Sequence, residues 1–146
     1  AGLFSRRGYS IDSITAGTTA DPRFTRITVV ASGDELILSQ IENQVRKLED
    51  VIEIKLLKDG ESVFRELIMI KVRVTAAQRG EINSIADIFR AKIVDVQEES
   101  MIIELTGTQS KLEGFMNLLK WYEILELART GITGLSRGCE DVTYIG

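Results

Sequence analysis

Residues 64–74 read FRELIMIKVRV, and this stretch decides the fold. Ile68, Ile70, Val72 and Val74 recur every second residue, with Leu67, Met69, Lys71 and Arg73 between them. A period of two predicts a strand, because successive side chains point to opposite faces of a sheet. Toward the C-terminus the period changes. In AQRGEINSIADIFRA (77–91), Ile82, Ile85, Ala86 and Phe89 fall at i, i+3, i+4 and i+7, which is the apolar stripe of a helix. KIVDVQ (92–97) and SMIIELTG (100–107) then read as a hairpin. Ser110 and Glu113 have the spacing of a capping box, and Leu112, Phe115, Met116 and Leu119 make a second helical stripe. EILELAR (123–129) is the last strand, before a glycine-rich tail at 130–146.

Strand, helix, strand, strand, helix, strand is the ferredoxin-like βαββαβ order, with two helices on one face of a four-stranded antiparallel sheet. The N-terminal half repeats most of it. YSIDSITAGTT (9–19) and RITVVAS (26–32) read as a hairpin across the turn residues TADPRFT (19–25), which include the only proline. Gly33 and Asp34 open a helix whose stripe is Ile37, Ile41, Val45 and Leu48, and VIEIKLL (51–57) reads as a strand. GLFSRRGYSIDSI (2–14) matches DIFRAKIVDV (87–96), and residues 26–55 match 101–129. Fixed-order self-similarity indicates a duplicated unit. The first copy starts at the end of its first helix, with Gly8 as the stop. The expected fold is therefore α+β, two tandem ferredoxin-like domains at 1–60 and 61–146 divided at KDGES (58–62), the first lacking its opening strand. That strand would be central, so about twenty residues are expected upstream in the natural polypeptide.

Composition narrows the chemistry. The 146 residues contain no histidine, which removes the commonest general base and the usual zinc ligand. Cys139 is the only cysteine, which excludes an internal disulfide and fits a reducing cytoplasm. A net charge of -4 disfavours nonspecific attraction to nucleic acid or anionic lipid. No apolar run approaches the ~20 residues of a membrane-spanning helix. The carboxylates are scattered over helix faces, without a pairing that suggests acid–base catalysis.

The stretches GLFSRRGYSIDSIT (2–15), RITVVASGDELILSQIENQVRKLEDV (26–51), RELIMIKVRV (65–74), IFRAKIVDV (88–96) and ELARTGITGLSRG (126–138) cover most of the chain. Together they resemble the regulatory small subunits of acetolactate (acetohydroxyacid) synthase. The resemblance implies an N-terminal ACT domain that pairs with a second copy and binds a branched-chain amino acid, typically valine. It implies a non-catalytic cytoplasmic chain without a cofactor of its own. Its partner would be a large catalytic subunit carrying thiamine diphosphate, magnesium and FAD, which it activates and makes sensitive to valine. The family's ligand loop, an Asn and a Gly, would lie upstream of Ala1. The opposite wall falls on Ser10, where the family often has Asn, with Ile11 and Ala16 for apolar contact.

Other readings compete. A free-standing amino-acid-sensing ACT module would share these features. An RNA-binding ferredoxin-like protein would need stacking aromatics that are missing, and an acylphosphatase-type enzyme would need an anion-cradling loop. GITGLSRG (131–138) lacks the lysine and the strand-to-helix setting of a phosphate loop, so a C-terminal turn or subunit contact is expected. Trp121 and Tyr122 are expected to cap the last helix against the sheet.

Overall fold

The computed structural model describes residues 10–33, 35–48, 50–51 and 53–139. The expected helix end before Gly8, and Asp34 as a helix opener, lie outside these residues. The chain divides into two compact units, Phe64–Gly131 and Ala1–Val63 with Ile132–Gly146.

The second unit is built on β3 (Ser62–Arg73), the strand expected from its alternation. It is followed by α2 (Ala76–Phe89), β4 (Lys92–Val96), β5 (Ser100–Gly107), α3 (Gln109–Leu118) and β6 (Ile124–Arg129). The strand order β4-β5-β3-β6 places the first strand of the unit between the third and the fourth, as the βαββαβ plan requires. β3 pairs antiparallel with β5 on one side (Ile70↔Ile103) and with β6 on the other (Ile70↔Leu127). Its alternate residues Ile68, Ile70 and Val72 are buried with Met101, Ile103 and Leu105 of β5 and with Ile82, Leu112, Phe115 and Leu119 from the helical side. Each such side chain contributes roughly 1.5–3 kcal/mol on burial. Phe89 and Phe115 meet edge to face, their centroids 5.3 Å apart.

Local chemistry sets the ends of the helices. Thr75 accepts a hydrogen bond from the Gln78 N–H while the Gln78 side chain accepts one from the Thr75 N–H, a complete capping box for α2. Arg90 ends α2 in the left-handed region (φ 57°, ψ 37°). The cap of α3 is Thr108, which accepts from the Lys111 N–H at 3.4 Å. The expected capping box at Ser110 is displaced because Ser110 already lies inside the helix.

Glu66, only 4% exposed, accepts from Arg129 at 2.5 Å, so a buried carboxylate is held by a guanidinium on the neighbouring strand. Tyr122 packs against the core and donates its hydroxyl to Glu81 at 2.5 Å. Trp121 does not share that capping role: it is 82% exposed, its face turned toward Lys120 instead of the sheet.

The first unit contains β1 (Ser10–Thr18), β2 (Thr25–Ser32) and α1 (Glu35–Arg46). β1 and β2 form the expected hairpin, closed by a Thr19–Phe24 turn in which Asp21 grips Arg23. That guanidinium holds the Asp21 carboxyl below its ordinary range. The hairpin and α1 match β4, β5 and α3 of the second unit, down to an irregularity at the same point of the first strand: Ile11/Ser13 in β1, Ile93/Asp95 in β4. The predicted strand at 51–57 does not form, since residue 51 and residues 53–58 carry no strand. In the second unit the last strand takes its hydrogen bonds from the first, β6 from β3. No described residue of the first unit occupies that first-strand position, so VIEIKLL has the side chains of a strand and no ladder to join. A 3₁₀ turn (Asp59–Glu61) follows, and the short β7 (Thr133–Ser136) also pairs with β3. The tail, which the sequence division placed in 61–146, groups with the first unit.

Two expected outcomes follow from the second unit. Gly114 lies within α3, and a Cβ there would meet Phe89 Cε1 at 3.6 Å, ordinary van der Waals contact. Gly114→Ala is expected to stabilise the protein by about 0.5–1 kcal/mol through helix propensity, read as a higher midpoint in thermal unfolding. The second outcome concerns Tyr122, whose phenol is pushed from 10 up to about 12, first by its hydrogen bond to Glu81, then by burial and by the Glu81 charge. A raised folded-state value favours the protonated phenol, so this stabilisation is complete below pH 10 and is lost as pH rises toward about 12. In a spectrophotometric titration one tyrosine of three should ionise near pH 12, and Glu81→Gln should return it toward 10.

Candidate functional site

The three residues expected to meet a ligand all lie on β1. Ser10 opens the strand opposite Ser32, Ile11 is half-buried opposite Ala31, and Ala16 is exposed opposite Ile27. On a regular strand, residues 11 and 16 would point to opposite faces. The bulge between Ile11 and Ser13 resets the alternation, so the register places Ile11, Ile14 and Ala16 on one face with Ala31, Val29 and Ile27 of β2. This face is apolar and open among the described residues: Ile14 is 57% and Ile27 63% exposed. It offers an exposed aliphatic wall without a charged group among these six residues. Ile14, exposed on the same face, belongs to the same wall.

The opposite face of the hairpin carries Ser13, Thr15, Thr28 and Arg26, and it holds the tail segment. Ser13 Oγ accepts from the Ile132 N–H at 2.8 Å, and Thr15 Oγ1 donates to the Ile132 carbonyl at 3.2 Å. Two side chains one strand repeat apart thus satisfy both backbone groups of one residue. Arg26 donates to the Gly134 carbonyl at 2.8 Å, and Lys55 Nζ to Ser136 Oγ at 2.9 Å. GITGLSRG is therefore neither a phosphate loop nor a bare turn. It is a strap across the polar face of the first unit, which sequence reasoning missed. The available signal was the alternation of Ser13, Thr15, Arg26 and Thr28, polar side chains on a strand face that a sheet alone leaves unused.

Among the described residues no cluster of three or more His, Cys, Asp or Glu is arranged to hold a metal ion. Cys139 is exposed and free. No helix among the described residues is long and apolar enough to cross a membrane.

Comparison with known proteins covers both units. Residues 65–138 match the family model described as the small subunit of acetolactate synthase, and residues 1–53 match that of the AHAS small subunit-like ACT domain. The probable acetolactate synthase small subunit of Methanothermobacter thermautotrophicus is 45% identical over 139 residues, 94% of this chain and 83% of that protein. The isozyme 3 small subunit of Escherichia coli is 41% identical over 138 residues, 94% of this chain and 85% of that protein. The crystal structure of the acetolactate synthase small subunit from Thermotoga maritima superposes with a TM-score of 0.84 at 40% identity, covering 95% of this chain and 87% of that one. The two units are thus tandem ferredoxin-like folds, the first of the ACT type, and the chain belongs to the acetolactate synthase small-subunit family.

Proposed function

We propose that the chain is a cytoplasmic regulatory subunit that activates a separate catalytic large subunit of acetolactate synthase and makes it sensitive to feedback inhibition by valine. The observation that carries this reading is the joint family match of both units, together with an uncovered aliphatic strand face at Ile11, Ile14 and Ala16 in the ACT unit. In this reading the thiamine diphosphate, magnesium and FAD reside on the large subunit, and this chain contributes no reacting group. Its partners are the large subunit, a second copy paired through the ACT unit, and valine.

The chemistry of the effector fits the wall. Valine has one small branched apolar side chain, which Ile11, Ile14 and Ala16 can select by shape, while its carboxylate and ammonium need backbone N–H and C=O groups at the rim. A regulatory affinity between about 1 mM and 1 μM requires only ~4–8 kcal/mol. Bound valine can inhibit the large subunit only by binding two states of the assembly with different affinity.

The test mixes the chain with its cognate large subunit and measures acetolactate formed from pyruvate, with and without valine. Stimulation that valine reverses is expected, and absence of stimulation overturns the reading. Valine binding without stimulation would point instead to a free-standing amino-acid sensor. Ala16→Leu, which fills the wall, is expected to raise the valine concentration for half inhibition about tenfold, the equivalent of ~1.4 kcal/mol. An unchanged valine response would remove Ala16 from the site.

A further inference from the structure

The strap across the polar face of the hairpin is attached in a way that lets it leave. Residues 132–136 are bracketed by two glycines in the left-handed region, Gly131 (φ 88°) and Gly138 (φ 84°). Glycine takes such turns without steric cost, so the chain between them can swing as a piece. Leu135 is 63% exposed, Ile132 is half-buried, and neither belongs to the buried core.

What holds the strap is polar. Ile132 has both backbone groups on hairpin hydroxyls, its N–H on Ser13 Oγ at 2.8 Å and its carbonyl on Thr15 Oγ1 at 3.2 Å. Arg26 adds a bond to the Gly134 carbonyl, and Lys55 one to Ser136 Oγ. The Arg137 N–H donates to the Glu61 carbonyl at 2.8 Å, and β7 contributes a ladder of only four residues. A segment with little apolar burial opens locally at far lower cost than a core strand.

The clamp acts at the point of β1 that carries the apolar wall. Ser13 and Thr15 face the strap, while Ile14 and Ala16 face the other way, opposite Val29 and Ile27. With Ile132 docked, this stretch of β1 is already ordered. With it released, the cost of ordering β1 falls on whatever binds the wall. We propose that residues 132–136 form a releasable latch, gated by the Ser13 and Thr15 hydroxyls, whose docking is coupled to ligand occupancy of the apolar face of β1. The coupling rests on the proposed function; the latch does not. Linkage makes the coupling reciprocal: valine holds the latch docked, and loss of the latch weakens valine by the same factor.

Amide hydrogen exchange of the full chain, followed by mass spectrometry, reads the peptide spanning 131–137. Ser13→Ala combined with Thr15→Val removes both hydroxyls and is expected to speed exchange there about tenfold, with peptides of β3 and β5 unchanged. Ile132→Pro removes the bonded N–H from the strap side and leaves β1 as it is, so it separates the latch from direct effects on the wall and gives the same reading if the double variant does not fold. Valine should slow exchange of this peptide in the wild-type chain. With the cognate large subunit, each variant is expected to keep its stimulation and to need about fivefold more valine for half inhibition. Unchanged exchange at 131–137 in the folded variants overturns the latch. A released segment with a wild-type valine response overturns the coupling, as does valine inhibition of the wild type that leaves the segment's exchange unaltered. A wild-type chain that valine neither protects nor inhibits removes the proposed function and the coupling together, and the exchange comparison still decides the latch.

Discussion

Everything in this chain depends on whether a ferredoxin-like sheet has its central strand. In the second unit β3 takes hydrogen bonds from β5 on one side and β6 on the other, and its alternate side chains are the floor on which both helices rest. Every fully buried apolar side chain among the described residues belongs to this unit or to the residues joining its elements. In the first unit the described residues supply a hairpin and one helix, none of whose apolar residues is fully buried. Ile14, Ile27 and Val29 stay exposed on the face that in the second unit would meet helices. The same plan thus shows a closed core in one unit and, among the described residues of the other, an exposed aliphatic strand face.

The extent to which this was legible follows from where each signal resides. β3 and β5 could be read because their periodicity is a property of their own side chains, and so could the stripes of α2 and α3. VIEIKLL could not, because a strand needs a neighbour's hydrogen bonds as well as its own pattern, and the neighbour is not among the described residues. Caps were half legible: Ser110 and Glu113 fitted the motif, but the cap of α3 is Thr108, two residues earlier, and the complete box lies at Thr75 and Gln78. Trp121 and Tyr122 were both expected to cap the last helix against the sheet, yet only Tyr122 packs against the core and Trp121 is exposed.

The site shows the same division. Ile11 and Ala16 were joined by resemblance, against the parity of a regular strand, and only the bulge between Ile11 and Ser13 makes the pairing geometrically sound. The matching irregularity between Ile93 and Asp95 shows that the bulge belongs to the duplicated plan, so what distinguishes the first unit is the exposure of the face it presents. The strap at 132–136 had no local signal, because the groups that hold it lie more than a hundred residues away along the chain for Ser13, Thr15 and Arg26.

That strap bears on how a ligand on one face of the hairpin could be felt elsewhere. Along Ser13–Ala16 the side chains alternate: Ile14 and Ala16 line the apolar wall, while Ser13 and Thr15 hold both backbone groups of Ile132. A strand is too thin to move on one face only. Any twist of β1 that moves the apolar wall would also move Ser13 and Thr15 against Ile132. Two neutral hydrogen bonds contribute about 0.5–1.5 kcal/mol each, so their gain or loss spans about 1–3 kcal/mol, the size of a typical allosteric coupling. The apolar face of β1 and the anchorage of the C-terminal segment are therefore two sides of one strand.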